Sequence, residues 1–333
     1  MTFTRRNGPA EQSQTFHGDS SGPVSSGRSI SPRERGVDSD HLGSGALGND
    51  VSMGRRSFFG VVGIASIGLL SACTAGPAGP EAKDNPEVTL DALSKEYEAK
   101  IGLSVYDHSR NKSFNYHGDV KSYEASVVKV PIALTVMRVA KDHGGKLDQE
   151  QRDLVQRSVG QSDNDATATL FASLAQGQEP GGDEADAASS DAINETYAKL
   201  GVQRTRTNKT WGDNETYAED QVQIAKGLVN RVDWVDGDDL EFLTSLMTPV
   251  DDSQGWGVGS MQSGKAGDKH VKDVDVKNGW LPNDDGTWNI TSMGVVFAED
   301  TTYSVAVVST GFESFEEGQK VANEAVKAYF SSL

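Results

Sequence analysis

Two residues three positions apart, Ser126 and Lys129, have the types and the spacing that nucleophilic catalysis needs. Positions i and i+3 lie on one face of a helix, so the lysine amine comes within reach of the serine hydroxyl. A serine hydroxyl is a weak nucleophile until a neighbouring base accepts its proton. A lysine serves as that base when burial lowers its pKa. The structural alternative is an ordinary helix N-cap, with a lysine whose stem packs on the surface.

Two later segments carry polar residues that support such chemistry. In Ser162-Asp163-Asn164, the serine can relay a proton towards a leaving group and the asparagine can hold a substrate amide. In Lys277-Asn278-Gly279, the lysine offers positive charge, and the glycine lets a substrate backbone approach closely. Each segment also has a simpler structural interpretation, which is a helix cap for the first and a turn for the second.

Both lysine motifs have a second copy in a poorer context. Ser109-Arg110-Asn111-Lys112 repeats the serine–lysine spacing, but it lies in a predicted hairpin turn that no apolar helix follows. Lys265-Ala266-Gly267 repeats the Lys-x-Gly pattern without a strand pattern around it. We therefore assign the chemistry to the copies at Ser126 and Lys277.

Hydrophobic periodicity indicates which elements position these residues. Residues 126–142 are apolar on almost every face, which predicts a buried central helix, and residues 176–188 predict a solvated insertion. Strands at both ends with helices between them predict an α+β fold, in which one antiparallel sheet is built from both termini and a helical lobe is inserted. The predicted strands are 101–107, 112–118, 271–278, 287–298 and 302–310, and the other predicted helices are 148–158, 163–175, 189–200, 217–230, 237–247 and 314–331.

The N-terminal part of the chain has the pattern of an export signal. Residues 1–52 are rich in Ser and Gly, which predicts a disordered or untranslated leader. Residues 53–72 combine paired arginines with a short apolar run, as in a twin-arginine lipoprotein signal peptide, and Cys73 is the expected lipidation site. Residues 73–88 predict a flexible tether, and 89–333 the folded domain. The alternative for the apolar run is a short buried helix beside a chance cysteine.

Composition excludes several partners and cofactors. The formal net charge of −18 would repel nucleic-acid phosphates. Cys73 is the only cysteine, so neither an internal disulfide nor a cysteine-based metal site can form. The six histidines are scattered, and we predict no metal and no cofactor. The expected location is extracytoplasmic, on the cell membrane through the lipid anchor.

The three motifs, in this order, resemble those of class A β-lactamases and penicillin-binding proteins. The segments 123–131 and 161–166 resemble the family closely, and the resemblance extends over roughly 98–331. It implies that 89–333 is a β-lactamase-like serine hydrolase domain with an acyl-enzyme intermediate. The implied catalytic residues are Ser126 as nucleophile, Lys129 as base, and Ser162 and Lys277 as the path of the proton to the leaving nitrogen. The implied substrate-binding residues are Asn164, Asn278, Gly279 and Trp280, with the backbone N–H groups of Ser126 and Trp280 as the oxyanion hole.

Three departures from the family pattern bear on the substrate and on turnover. Asn278 replaces the usual Thr or Ser, and the next strand, 288–294, has no arginine to hold a substrate carboxylate. The glutamate that deacylates class A enzymes has no clear counterpart, because Gly212 follows Trp211 at the corresponding place. Glu215 is a nearby substitute on which we do not rely.

The sequence therefore predicts an exported, lipid-anchored serine hydrolase or acyltransferase. Its substrate would be an amide of the β-lactam or D-alanyl peptide type, either a small molecule or a peptidoglycan peptide, and its β-lactamase turnover would be poor. The alternative is a non-catalytic, ligand-binding envelope lipoprotein that retains the fold.

Overall fold

The apolar strand segments pair into one antiparallel sheet, with a second, two-stranded sheet beside it. In the computed structural model, the six-stranded sheet has the order β2-β1-β8-β7-β6-β5, and β3 pairs with β4. The strands are β1 (Lys100–Asp107), β2 (Lys112–Tyr116), β3 (Lys121–Tyr123), β4 (Glu215–Tyr217), β5 (Lys265–Ala266), β6 (Lys269–Pro282), β7 (Trp288–Ala298) and β8 (Thr302–Phe312).

The helices lie mainly between the N-terminal and C-terminal strands of the sheet. They are α1 (Pro86–Glu96), α2 (Lys129–Asp142), α3 (Gln149–Val155), α4 (Asn164–Ser173), α5 (Asp183–Leu200), α6 (Ala218–Asn230), α7 (Gly237–Ser245) and α8 (Phe315–Ser331). Short 3₁₀ turns cover Ala125–Val128 and Gly257–Met261, and a π-helical turn covers Gln156–Gly160. The predicted α+β class, with a sheet from both termini and an inserted helical lobe, is confirmed.

The structure describes residues 85–178, 181–249 and 253–333, all within the unit Thr74–Leu333. The predicted leader, the signal peptide, Cys73 and the first part of the tether lie outside the described residues. Among the helices that are described, none has the length and apolar character required to span a bilayer.

The protein has two apolar cores, and α2 lies within one of them. One face of the sheet packs on α1 and α8, in a core that includes Leu90, Ile101 and Val326. The other core surrounds α2, whose residues 129–138 are all buried, and it reaches the sheet at Met293 and Ala306. Because α2 is covered on every side, its first turn is fixed against the sheet, as the apolar pattern of 126–142 predicts.

Several element boundaries differ from the sequence-based prediction. Helix α1 begins at Pro86, inside the predicted tether, because Asn85 caps it by accepting the Glu87 N–H at 3.0 Å. Helix α5 begins at Asp183, so the predicted solvated insertion ends six residues early. Acidic residues in the first turn of α5 favour its N-terminus electrostatically. Two residues of the rejected motif, Lys265 and Ala266, do form a short strand, β5, and Lys265 is exposed.

Candidate active site

Ser126 lies in the 3₁₀ turn that joins β3 to α2. The preceding Ala125 has φ +47°, in the left-handed region that costs a non-glycine residue energy. The backbone of β6 crosses directly over this turn. A Cβ at Gly279 would lie 2.6 Å from the Ser126 nitrogen and 2.9 Å from the Glu124 oxygen, so only glycine fits there. Ser126 is half-buried, and its hydroxyl makes no hydrogen bond to a described residue.

Lys129 is fully buried at the first position of α2, three residues after the serine. Its Nζ donates to the Ser162 carbonyl at 2.6 Å, to the Ser162 Oγ at 3.2 Å and to the Asn164 Oδ1 at 2.7 Å. Burial lowers the pKa of Lys129 to about 8, against an opposing pull from the Asp163 carboxylate. A lysine in this state is neutral often enough near neutral pH to act as a base.

Ser162 connects two lysines. It follows the π-helical turn Gln156–Gly160 and has φ +57°, and such irregular backbone is frequent at functional sites. Its Oγ lies 3.2 Å from the Lys129 Nζ and 3.0 Å from the Lys277 Nζ. Asp163 caps α4 by accepting the Asp165 N–H at 2.8 Å and the Ala166 N–H at 3.0 Å, so the helix-cap interpretation holds for this residue.

Lys277 reaches Ser162 from the middle of β6. It is 1% exposed, and its Nζ also donates to the Asn278 carbonyl at 3.1 Å. Burial, together with the charge of Lys129, lowers the pKa of Lys277 to about 7. Two amines with lowered pKa values thus share one hydroxyl, and this arrangement can pass a proton between them. The turn interpretation of this motif is wrong, because β6 continues to Pro282.

Two of the predicted substrate-binding residues, Asn164 and Asn278, use their side chains differently. Asn164 uses its side-chain oxygen on Lys129, which leaves its amide nitrogen for another partner. Asn278 is fully buried, and its Nδ2 donates to the carbonyls of Gln254 at 3.1 Å and Trp256 at 3.2 Å. Its side chain therefore supports the segment before β5, and the assignment of Asn278 to substrate binding stays a prediction.

Trp280 follows Gly279, so its backbone lies beside the Ser126 turn while its side chain lies on the other face of the sheet. The indole ring packs at 6.1 Å from the ring of Trp256 and at 5.0 Å from that of Phe315, measured between centroids. It remains 39% exposed. Any contribution of Trp280 to the reaction centre comes from its main chain.

No carboxylate of the described residues makes a contact with Ser126 or Lys129. Gly212 has φ +94°, and its carbonyl accepts the Ala125 N–H at 2.6 Å. The ring of Trp211 lies 5.8 Å from the Lys129 Nζ and covers that side of the amine. Glu215 is half-exposed and forms an ion pair with Lys121. The absence of a class A-type glutamate stays a prediction.

Sequence reasoning missed two residues near the nucleophile. The sequence assigns Trp211 no role of its own, and no local pattern indicates that its ring lies 5.8 Å from the Lys129 Nζ. Glu124, two residues before Ser126, is fully buried and accepts from the Tyr197 hydroxyl at 2.6 Å and the Gln221 Nε2 at 3.2 Å. Burial raises the pKa of Glu124 to about 8. The sequence around Glu124 does not indicate that its carboxyl group is buried.

A turn that carries Ser126, two lysines joined through one serine and a glycine that abuts the Ser126 turn form an arrangement that a serine hydrolase could use. A model of the "Beta-lactamase enzyme family" matches residues 85–151, which include Ser126 and Lys129. This match and the fold together support a β-lactamase-like serine hydrolase family for the chain. Among the described residues, no cluster of three or more His, Cys, Asp or Glu is placed to hold a metal.

Solved structures similar to this chain share its fold at low sequence identity. The TLA-1 extended-spectrum β-lactamase is 17% identical, with a TM-score of 0.60, over 76% of this chain and 99% of that one. A β-lactamase from Chitinophaga pinensis is 15% identical, with a TM-score of 0.57, over 74% and 98% of the two chains. A β-lactamase from Sphaerobacter thermophilus is 17% identical, with a TM-score of 0.56, over 73% and 94%. No curated protein matches this chain.

Proposed function

We propose that this protein is an exported, lipid-anchored serine hydrolase or acyltransferase that forms an acyl-enzyme on Ser126. The substrate class is an amide of the β-lactam or D-alanyl peptide type, whether a small molecule or a peptidoglycan peptide. The observation that carries the proposal is the Ser162 hydroxyl, which lies 3.2 Å from the Lys129 Nζ and 3.0 Å from the Lys277 Nζ. A protein that only bound a ligand would not require two buried lysines joined in this way.

Acylation uses the described groups in sequence. Neutral Lys129 accepts the Ser126 proton, and the Oγ attacks the substrate carbonyl. The backbone N–H groups of Ser126 and Trp280 stabilise the oxyanion, since β6 lies against the Ser126 turn at Gly279. As the C–N bond breaks, the leaving nitrogen takes a proton from the Ser162 hydroxyl, which is replenished from the lysine amines.

Deacylation is the slow step in this proposal. Hydrolysis of the ester needs a water held and activated by a base, which contributes about 10²–10⁴-fold. The resemblance implies a base next to Trp211, but the next residue is Gly212, and Glu215 is paired with Lys121. We therefore expect a long-lived acyl-enzyme and poor β-lactamase turnover.

Stopped-flow hydrolysis of nitrocefin tests this function. The expected trace is a burst of about one equivalent, which Ser126→Ala abolishes and Ser109→Ala preserves, because Ser109 stands in the second copy of the serine–lysine spacing. A steady-state kcat in the ordinary range of about 1–10³ s⁻¹ would contradict slow deacylation. Saturable binding without any covalent product would favour the second candidate, a non-catalytic envelope lipoprotein. That candidate draws support from Lys129, whose three hydrogen bonds all go to groups other than Ser126.

Attachment through Cys73 is part of the same proposal. It rests on the apolar run that ends in Leu70-Ser71-Ala72-Cys73. The lipid would hold the domain on the outer side of the cell membrane, where peptidoglycan peptides and β-lactams are accessible.

A further inference from the structure

A cavity of about 200 Å³ lies between the π-helical turn and the end of α7. We call it the amide cleft. Gln161, the residue before Ser162, lines it on one side, and Val276, the residue before Lys277, lines it on the sheet side. Its other lining residues include Gln156, Ser245, Thr248, Ser253 and Gln254.

The walls of the amide cleft carry no positive charge, and they combine polar side chains with apolar ones that include Val159, Leu246 and Pro249. Its polar side chains are glutamine amides and hydroxyls, which are uncharged. The sequence contains no Lys or Arg from residue 232 to residue 264, so the segment after α7 contributes no cation. Strand β7 contains none either. Arg157, on the π-helical turn, is paired with Asp163.

Lys277 does not supply the missing charge to the cleft. Its side chain is buried, and its Nζ donates to the Ser162 Oγ and the Asn278 carbonyl. The edge of β6 that faces the cleft is covered instead by Gln254, whose Oε1 accepts the Asn278 N–H at 3.1 Å. A carboxylate transferred into this environment would lose its water without gaining a cationic partner, which is unfavourable.

The reaction geometry places the leaving group at this cleft. The Ser126 nitrogen and the Gly279–Trp280 backbone fix the scissile carbonyl on one side. The leaving nitrogen must lie next to Ser162, because this hydroxyl is the end of the path between the two lysines. Because Gln161 and Val276 line the cleft and are the chain neighbours of Ser162 and Lys277, atoms beyond that nitrogen can extend past Gln161 into the amide cleft.

We infer that the leaving group is uncharged near the scissile bond, so the protein cleaves an internal amide within a longer chain rather than one that ends in a free carboxylate. The inference rests on the proposed function and narrows its substrate class. The glutamine amides and hydroxyls of the cleft can bind the peptide groups of a chain that continues beyond the cleaved bond, and the apolar lining residues can contact its side chains. In the reaction itself, the Ser126 Oγ–C bond forms first and gives the tetrahedral oxyanion. The C–N bond then breaks as the nitrogen takes a proton from Ser162, which recovers it from Lys129, the group that accepted the Ser126 proton.

The test compares two esters with the same acyl group, whose leaving alcohols end in a carboxylate or in a carboxamide. Rates of acylation are divided by the rate of alkaline hydrolysis of each ester, which removes their intrinsic difference. We expect the carboxamide ester to be favoured by about tenfold or more, which corresponds to one lost charge-assisted contact. Equal rates, or a preference for the carboxylate, would overturn the inference.

Inserting a cation into the cleft should reverse this selectivity. Gln254→Arg and Gln161→Arg should each shift the ratio about tenfold towards the carboxylate ester. Gln254→Arg removes the hydrogen bond from the Asn278 N–H and could perturb the fold. Gln161 is exposed, so Gln161→Arg tests the same point without that loss. Gln178→Arg, an exposed glutamine outside the cleft, is the matched control and should leave the ratio unchanged.

The outcomes separate this inference from the function on which it depends. If neither ester acylates Ser126, the proposed function fails and the inference fails with it. If both esters acylate Ser126 and the arginine variants do not change their ratio, the proposed function stands and the amide cleft is not the leaving-group site.

Discussion

The lowered pKa of Lys129 makes a quantitative prediction for the pH dependence of acylation. With a pKa of about 8, roughly one-tenth of the lysine is neutral at pH 7. With its ordinary value of 10.5, the neutral fraction would be about 0.03%, so burial increases the amount of active base about 300-fold. The acylation rate should rise about tenfold per pH unit below pH 7 and level off between pH 8 and pH 9.

Asp163→Asn shifts this profile in a direction that the structure fixes. The carboxylate of Asp163 raises the Lys129 pKa, and it also neutralises Arg157. Its removal therefore lowers the Lys129 pKa further and moves the rising limb to lower pH. Asparagine caps helices as well as aspartate does, so α4 should keep its stability.

Single-turnover stopped-flow acylation with a fluorescent penicillin, from pH 5.5 to pH 9.5, measures the profile. Asp153→Asn removes an exposed aspartate from α3 and is the control that should not move it. A rate that is independent of pH, or a limb that rises only near pH 10, would show that Lys129 is not the base. A shift to higher pH in Asp163→Asn would refute the electrostatic argument.

Three further predictions concern turnover, stability and location. Trp211→Glu, which puts a carboxylate beside Lys129, should accelerate deacylation by about 10²-fold or more. Trp211→Gln removes the same ring without adding a base, and it is the control. Equal deacylation rates for the two variants, measured in a chase of labelled acyl-enzyme, would disprove the claim that a missing base limits turnover. The pKa of Glu124 is higher in the folded protein than the ordinary 4.5, so the native state binds more protons than the unfolded state between about pH 4.5 and pH 8. The free energy of unfolding should therefore fall as the pH rises through this range, by at most about 1.4 kcal/mol per pH unit. Glu124→Gln should flatten that slope in urea unfolding curves, whereas an unchanged slope would assign it to other groups. Cys73→Ala should release the protein from the membrane fraction, and a variant that stays as membrane-bound as the parent would rule out the lipid anchor.

The fold and much of the site could be predicted because they depend on short motifs and on apolar patterns within single elements. The apolar run after Ser126 fixes a buried α2, and the later strands show continuous apolar segments. The three motifs could be brought together only through the family resemblance, since residues as far apart in sequence as Ser162 and Lys277 have no local pattern that joins them. The structure then places the Oγ of Ser162 3.0 Å from the Nζ of Lys277.

Other features depend on tertiary contacts that a sequence does not display. The family resemblance implies that Asn278 binds substrate, but only the structure shows that its amide nitrogen donates to the carbonyls of Gln254 and Trp256. Strands β3 and β4 have three residues each, too few for a periodic pattern to reveal them. The Trp211 ring lies near Lys129 because of the path of the loop that carries it. The path of a loop leaves no periodic pattern in the sequence.

The central claim, that Ser126 is an activated nucleophile, is tested most directly by locating a covalent adduct. A fluorophosphonate needs no carboxylate site and reports only on the nucleophile and its base. After labelling, tandem mass spectrometry of the digested protein should find the phosphonate on Ser126, with labelling strongly reduced in Lys129→Ala. An adduct on Ser109 or Ser162, or no adduct on the folded protein, would contradict the account.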